Sequence, residues 1–127
     1  MPIRRINAAD GAEPVGAYVQ ALEVTGTTRR LYVSGQGPVT CDGRTPDTFR
    51  EQAETVWQNI LAQLRAADMG AKHIVQATTY LADRQHRDEN REVRQAMLQG
   101  HTFALTVVLA DLFEDGWLLE IDAIAEQ

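Results

Sequence analysis

Residues 46–68 carry the periodicity that most restricts what this chain can fold into. Phe49, Ala53, Val56, Trp57, Ile60, Leu61, Leu64 and Ala67 recur at intervals of three and four residues. That spacing predicts one long helix with a single apolar stripe, which must lie on an apolar surface. Thr45-Pro46 suits its start, because proline in a first turn loses no hydrogen bond. Thr48 with Glu51 offers an alternative capping box. Gly70 stands where a left-handed residue would end the helix.

The surface for that stripe is predicted from strands. Residues 18–24 alternate, with Tyr18, Gln20, Leu22 and Val24 on one side and Val19, Ala21 and Glu23 on the other. Thr25-Gly26-Thr27-Thr28 then supplies a turn and residues 30–34 resume in β-favouring types, which predicts a hairpin. Gly35-Gln36-Gly37-Pro38 breaks that strand. Residues 74–81 form a β-rich run, and residues 105–110 and 117–125 form two more strands that Asp115-Gly116 is expected to join as a hairpin. Between these runs, residues 83–94 hold four acids and four arginines. Asp83 with Arg87, and Arg84 with Asp88, lie four apart, predicting a solvated helix face with Val93, Ala96 and Met97 as its buried edge.

The resulting order, β-β-α-β-α-β-β, is an α+β sandwich with two helices on one sheet face. No further helix is available for the other face, so burial against another copy of the chain is expected. A chain of 127 residues, 44% apolar and 24% charged, is expected to form a single domain over 1–127. It has no apolar run long enough for a membrane span, and its basic start is not followed by the apolar segment of a secretory signal. The lone Cys41 points to a reducing, cytoplasmic setting. Twelve basic against eighteen acidic residues give a net charge of −6, which disfavours nucleic acid as a partner.

Few residues suggest chemistry by themselves. His73, His86 and His101 are scattered, so no metal site is expected, and capping or surface roles suit them. The segment Ser34-Gly35-Gln36-Gly37 lacks the tail of a phosphate loop. Cys41 lies in a polar loop with no activating neighbour in sequence. The last strand is more informative, because Glu120 and Asp122 point the same way and share that face with Leu118 and Ile124. Desolvation and a second carboxylate both raise a carboxyl pKa, which suits a general acid or base. A solvent-exposed face or an intersubunit salt bridge is the plainer reading of the same pattern.

Four segments together resemble the Rid family, also called YjgF or L-PSP. They are Val15-Gly16-Ala17-Tyr18-Val19-Gln20-Ala21, Leu31-Tyr32-Val33-Ser34-Gly35-Gln36-Gly37-Pro38, Thr78-Thr79-Tyr80-Leu81-Ala82-Asp83, and Leu119-Glu120-Ile121-Asp122-Ala123-Ile124-Ala125. They follow the family's order and spacing over nearly the whole chain. The resemblance implies a ferredoxin-like or chorismate-mutase-like sheet packed by two helices and assembled as a trimeric barrel, with small-molecule clefts between subunits. It also implies cofactor-free hydrolysis of enamines and imines. Carried over by position, the resemblance implies that Glu120 is the catalytic residue that orients or activates water, that Tyr18 and Ser34 line the cleft, and that the backbone around Gly35 helps them hold polar substrate atoms.

The resemblance breaks where the substrate carboxylate would bind. The family's A-R-S/T-x-V reads Ala104-Leu105-Thr106-Val107-Val108 here, so Leu105 replaces the arginine and Val107 the usual cysteine or threonine. The asparagine expected early in the second helix falls at Arg91, one residue after Asn90, and Arg91 offers a replacement cation. Leucine has no donor, so several powers of ten in affinity for a 2-imino acid are lost with the two-pronged contact. The expected function is a cofactor-free hydrolase or deaminase of an enamine, imine or related metabolite with an apolar group facing Leu105, distinct from the standard 2-aminoacrylate deaminase. The alternative is a non-enzymatic trimer that binds a small metabolite or acts as a regulator. Ribonuclease activity is the weakest choice, given the acidic balance.

Overall fold

The computed structural model describes residues 3–127. Its regular elements are β1 (Ile3–Ile6), β2 (Ala21–Val24), β3 (Arg30–Gln36), α1 (Phe49–Ala66), β4 (Ile74–Leu81), α2 (Arg87–Met97), β5 (Ala104–Leu109) and β6 (Leu119–Glu126). β3, β6, β4 and β5 form a mixed sheet in that order, and β1 pairs with β2 in a separate ladder. β6 is antiparallel to both neighbours, whereas β4 and β5 run parallel through the crossover helix α2. No helix among the described residues is long and apolar enough to cross a membrane.

The expected stripe holds the layers together. Phe49, Ala53, Val56, Trp57, Ile60 and Leu64 of α1 are buried, and α1 lies across β3 and β6. Below it, Leu119, Ile121, Ala123 and Ala125 of β6 are buried by the same alternation that turns Glu120, Asp122 and Ile124 to the opposite, uncovered face. Each large apolar side chain taken fully from water contributes roughly 1.5–3 kcal/mol. That gain places β6 in the middle of the sheet and leaves the partly exposed β5 at its edge.

The caps refine the reading. α1 starts at Phe49, later than Pro46, because the Thr48–Glu51 pair is the cap that forms. Glu51 donates its backbone N–H to Thr48 Oγ1 at 3.2 Å, and the Thr48 hydroxyl donates to Glu51 Oε1 at 3.0 Å. At the other end, Asp68 rather than Gly70 adopts the left-handed conformation, with φ of 58°. The Met69 N–H donates to Leu64 O and the Asp68 N–H to Arg65 O, and Met69 packs into the core. Gly70 instead caps the next short turn, where its N–H donates to His73 Nδ1 at 2.9 Å.

Both expected hairpins are replaced by other pairings. β2 covers only Ala21–Val24 and pairs with β1, Ile3 opposite Val24. β3 pairs with β6. Likewise β5 and β6 do not pair, because β6 is inserted between β3 and β4. Asp115 and Gly116 form a turn, with Gly116 at φ of 84°, that redirects the chain toward the sheet centre. Each strand follows the apolar area available to it, and a turn in the sequence does not select the partner. The break at Gly35 is also milder than expected, since β3 runs on to Gln36 through a bulge between Val33 and Gln36.

Candidate functional site

Strand register determines which side chains can meet at the β5 edge. Leu105, Val107 and Leu109 are paired with Ala77, Thr79 and Leu81 of β4, and so share the helix-facing side of the sheet. α2 lies over that side. Between α2 and β5 opens a cleft of about 480 Å³, a size suited to a small metabolite. Leu105, Val107 and Leu109 form one wall of it, and Asn90, Arg91 and Arg94 form another. The loop through Gly16 and Tyr18 makes the rim. That loop is tied to the sheet edge where the Val19 N–H donates to Phe103 O, and Tyr18 accepts at its hydroxyl from the Val15 N–H. Gly16, with φ of 124°, sits against Arg91, and a β-carbon there would stand 3.4 Å from its Nε.

The charge run on α2 is sorted by face. Arg84, Arg87, Arg91 and Arg94 follow one another at three, four and three residues, and all four line the cleft. Glu89 and Glu92 turn the other way and hold Arg50 of α1 at 3.2 and 2.9 Å. The expected pairs Asp83–Arg87 and Arg84–Asp88 are not formed. Asp83 instead accepts from the Gln85 N–H, and Asp88 lies 3.7 Å from Arg91. The segment is therefore less solvated than expected, because Asn90 and Arg94 are buried with Val93, while Ala96 is exposed and Leu98 replaces it in the core. Burial, and then the neighbouring Arg91, push Arg94 down to about 10, which still leaves it a cation at neutral pH.

A second cluster lies on the uncovered face. Glu120 is half-buried there beside Tyr80, its register partner, and over the β3 bulge. A β-carbon at Gly35 would stand 2.7 Å from Glu120 Oε1, so glycine lets the carboxylate lie against the backbone. Among the described residues Glu120 forms no ion pair. Asp122 differs, since the Tyr80 hydroxyl donates to it at 3.2 Å, and that carboxylate holds the Tyr80 hydroxyl above its ordinary pKa. Ser34 is exposed on the same bulge. Within the chain, then, Tyr18, Arg91, Leu105 and Val107 come together, whereas Ser34, Gly35 and Glu120 gather on the other side of the sheet.

Comparison with known proteins decides the family. The sequence model of the endoribonuclease L-PSP family matches residues 9–127. The chain belongs to the L-PSP, or Rid, family. A rat protein of this kind, 2-iminobutanoate/2-iminopropanoate deaminase, is 31% identical over 124 residues, covering 96% of this chain and 88% of that one. A RutC family protein of Aquifex aeolicus is 33% identical over 92 residues, 72% of this chain and 71% of that one. The crystal structure of the Rid family protein YyfB from Yersinia pestis superposes over the full length of both chains, with a TM-score of 0.89 at 22% identity. Its ferredoxin-like arrangement of two helices on a mixed sheet is the Rid fold.

Within this Rid chain the histidines have structural partners. His86 stacks on Phe49 with ring centroids 4.4 Å apart, His73 accepts from Gly70, and His101 Nε2 donates to Ile74 O at 2.8 Å. Among the described residues no group of His, Cys, Asp and Glu is arranged to hold a metal ion. Sequence reasoning missed Asn90 and Arg94 as cleft residues, although the three-four-three spacing of the arginines carried the signal. A run of zero net charge hides a face on which every charge has one sign.

Proposed function

We propose that this Rid protein is a hydrolase that deaminates an enamine or imine bearing an apolar group, in clefts between the subunits of a homotrimer. The α2–β5 cleft of one protomer forms one half of each site, and the Glu120 face of its neighbour forms the other. The observation that carries the reading is the unpaired Glu120 carboxylate resting on Gly35 on a face that no helix covers. The exposed Tyr32 on that face and Val107, Val108 and Leu109 at the β5 edge are the apolar surface such an assembly would bury.

In the proposed reaction Glu120 accepts a proton from water as its oxygen adds to the imine carbon. Glu120 returns that proton to the nitrogen to give the carbinolamine, then relays the hydroxyl proton to the nitrogen as the C–N bond breaks, so that ammonia leaves and the carbon becomes a carbonyl. Ser34 and Tyr18 hold polar atoms of the substrate. Water is the only co-reactant that this balance needs. Leu105 offers no donor, so its wall favours an apolar substituent over a carboxylate. The net charge of −6 keeps RNA the poorer substrate despite the family's name.

The test is an assay in which an amino-acid oxidase generates imines in situ and semicarbazide traps what remains. Imines with bulky apolar side chains are expected to be hydrolysed faster than that from alanine. Glu120→Gln is expected to lower turnover by about 10²–10⁴-fold, the usual contribution of a general base. Sedimentation should give the same trimer for both proteins. Equal turnover in Glu120→Gln removes that residue from the chemistry. A wild-type protein inactive on every imine leaves the metabolite-binding trimer as the reading.

A further inference from the structure

The cleft contains a charge that the deaminase chemistry leaves unused. Arg94 is 5% exposed, yet among the described residues no carboxylate pairs with it, and the charge that acts on it is another cation, Arg91. Asn90, one turn earlier on α2 and 3% exposed, has its Oδ1 without a hydrogen-bond partner. Buried ions are ordinarily paired, and an uncompensated one is strongly destabilising. A fold that keeps a lone guanidinium at the inner end of a cleft retains it for something that arrives from outside.

We propose that Arg94, with Arg91 and Asn90, forms a carboxylate-binding site on α2 for a small organic acid whose apolar substituent lies on Leu105, Val107 and Leu109. Three observations support it. Of the acids of α2, Glu89 and Glu92 are engaged by Arg50, and the exposed Asp88 reaches Arg91 at 3.7 Å, so none of them answers Arg94. Arg84 and Arg87, exposed at the mouth, extend the positive field outward and steer anions inward although the chain as a whole is acidic. The opposite wall is aliphatic and the cleft holds only about 480 Å³, which fits a monomeric acid rather than a polymer. The cation that would hold the acid lies on the helix, and a ligand held from that side lays its side chain on Leu105 of the facing strand. The inference rests on the deaminase reading for the choice of a small metabolite, whereas the contact with the anion does not require turnover.

The test is calorimetric titration of the full chain with 4-methylpentanoate, its uncharged counterpart 4-methylpentanamide, and sodium sulfate. The acid is expected to bind and the amide to bind at least tenfold more weakly. Arg94→Met should weaken binding of the acid about 100-fold or more, the loss of a two-pronged charge-assisted contact. The same variant should raise the ligand-free Tm, because a lone buried charge has been replaced by an apolar side chain of similar length. Arg94→Lys, which keeps the charge and loses the fork, should weaken binding by roughly tenfold and decides the matter should the methionine variant not fold. Equal binding of acid and amide, sulfate competing as well as the acid, or binding untouched by both Arg94 variants overturns the proposal and leaves the deaminase reading standing. Arg94-dependent binding by a protein that hydrolyses no imine overturns the deaminase reading and leaves this one.

Discussion

Replacing Gln52 by alanine is expected to lower the stability of the protein by about 3 kcal/mol, seen as a fall of roughly 10 °C in Tm. Gln52 lies between Phe49 and Ala53 in the first turn of α1 and is 2% exposed. Its side-chain amide nitrogen donates to Pro46 O at 2.9 Å and to Gly116 O at 3.0 Å, while its oxygen accepts from the Leu118 N–H at 2.8 Å. The segment leading into β6 is therefore hung from the helix at two points on either side of Trp117. Alanine leaves three backbone groups without partners and a cavity beside them, and each loss is of order 1 kcal/mol. Gln52→Glu separates the contributions. It keeps the acceptor for Leu118 and turns a second oxygen toward two carbonyls, so it should be no more stable than Gln52→Ala. Thermal melts of the two variants check this, and a glutamate variant as stable as wild type would show that the donor bonds contribute nothing.

The second large effect concerns the ring that Gln52 holds in place. A β-carbon at Gly37 would stand 2.3–2.6 Å from three atoms of the Trp117 indole. No L residue with a side chain fits there unless the indole moves. Asn59 fixes the other side of the contact, donating from Nδ2 to Gly37 O at 3.1 Å and to Val39 O at 2.9 Å. Gly37→Ala is therefore expected to cost about 2–3 kcal/mol, the usual range for overpacking. It should also lower the proposed imine hydrolysis, because the chain leads from Gly37 straight back to the Ser34–Gly35 bulge under Glu120. The measurement is a double-mutant cycle with Trp117→Leu. In that background Gly37→Ala should cost less than about 1 kcal/mol, since the clashing ring is gone. Equal costs in both backgrounds would show that the indole is not the obstacle. Read with Gln52, this contact explains how α1, lying on the far side of the sheet, positions the carboxylate half of the proposed site.

Much of this arrangement is legible in the residues alone. The stripe of α1, the Thr48–Glu51 cap and the two-faced pattern of β6 are local, and local spacing reports them directly. The resemblance named residues of both clusters, Tyr18, Arg91, Leu105 and Val107 about the cleft and Ser34, Gly35 and Glu120 on the uncovered face. Gln52 and Arg94 escaped because each is a polar residue within an otherwise interpretable pattern, and only the packed neighbours show that it is buried. For Arg94 the balanced charges of residues 83–94 suggested a solvated helix. The structure instead parts the acids from the arginines, sending one set to Arg50 and the other to β5.

Strand pairing marks the same limit. The residues of β2, β3, β5 and β6 announce strands and even turns, yet both hairpins drawn from them are wrong. Alternation depends on one strand and its own side chains, so it can be read along the chain. The choice of partner depends on which strand buries most beneath α1, and that competition involves segments far apart in sequence. The amino-acid order alone thus determined the family, both helices and five of the six strands with their faces, and left β1 unannounced. Tertiary packing decided the order of the strands and the direction the arginines of α2 face, because both are settled by contacts that no local stretch contains.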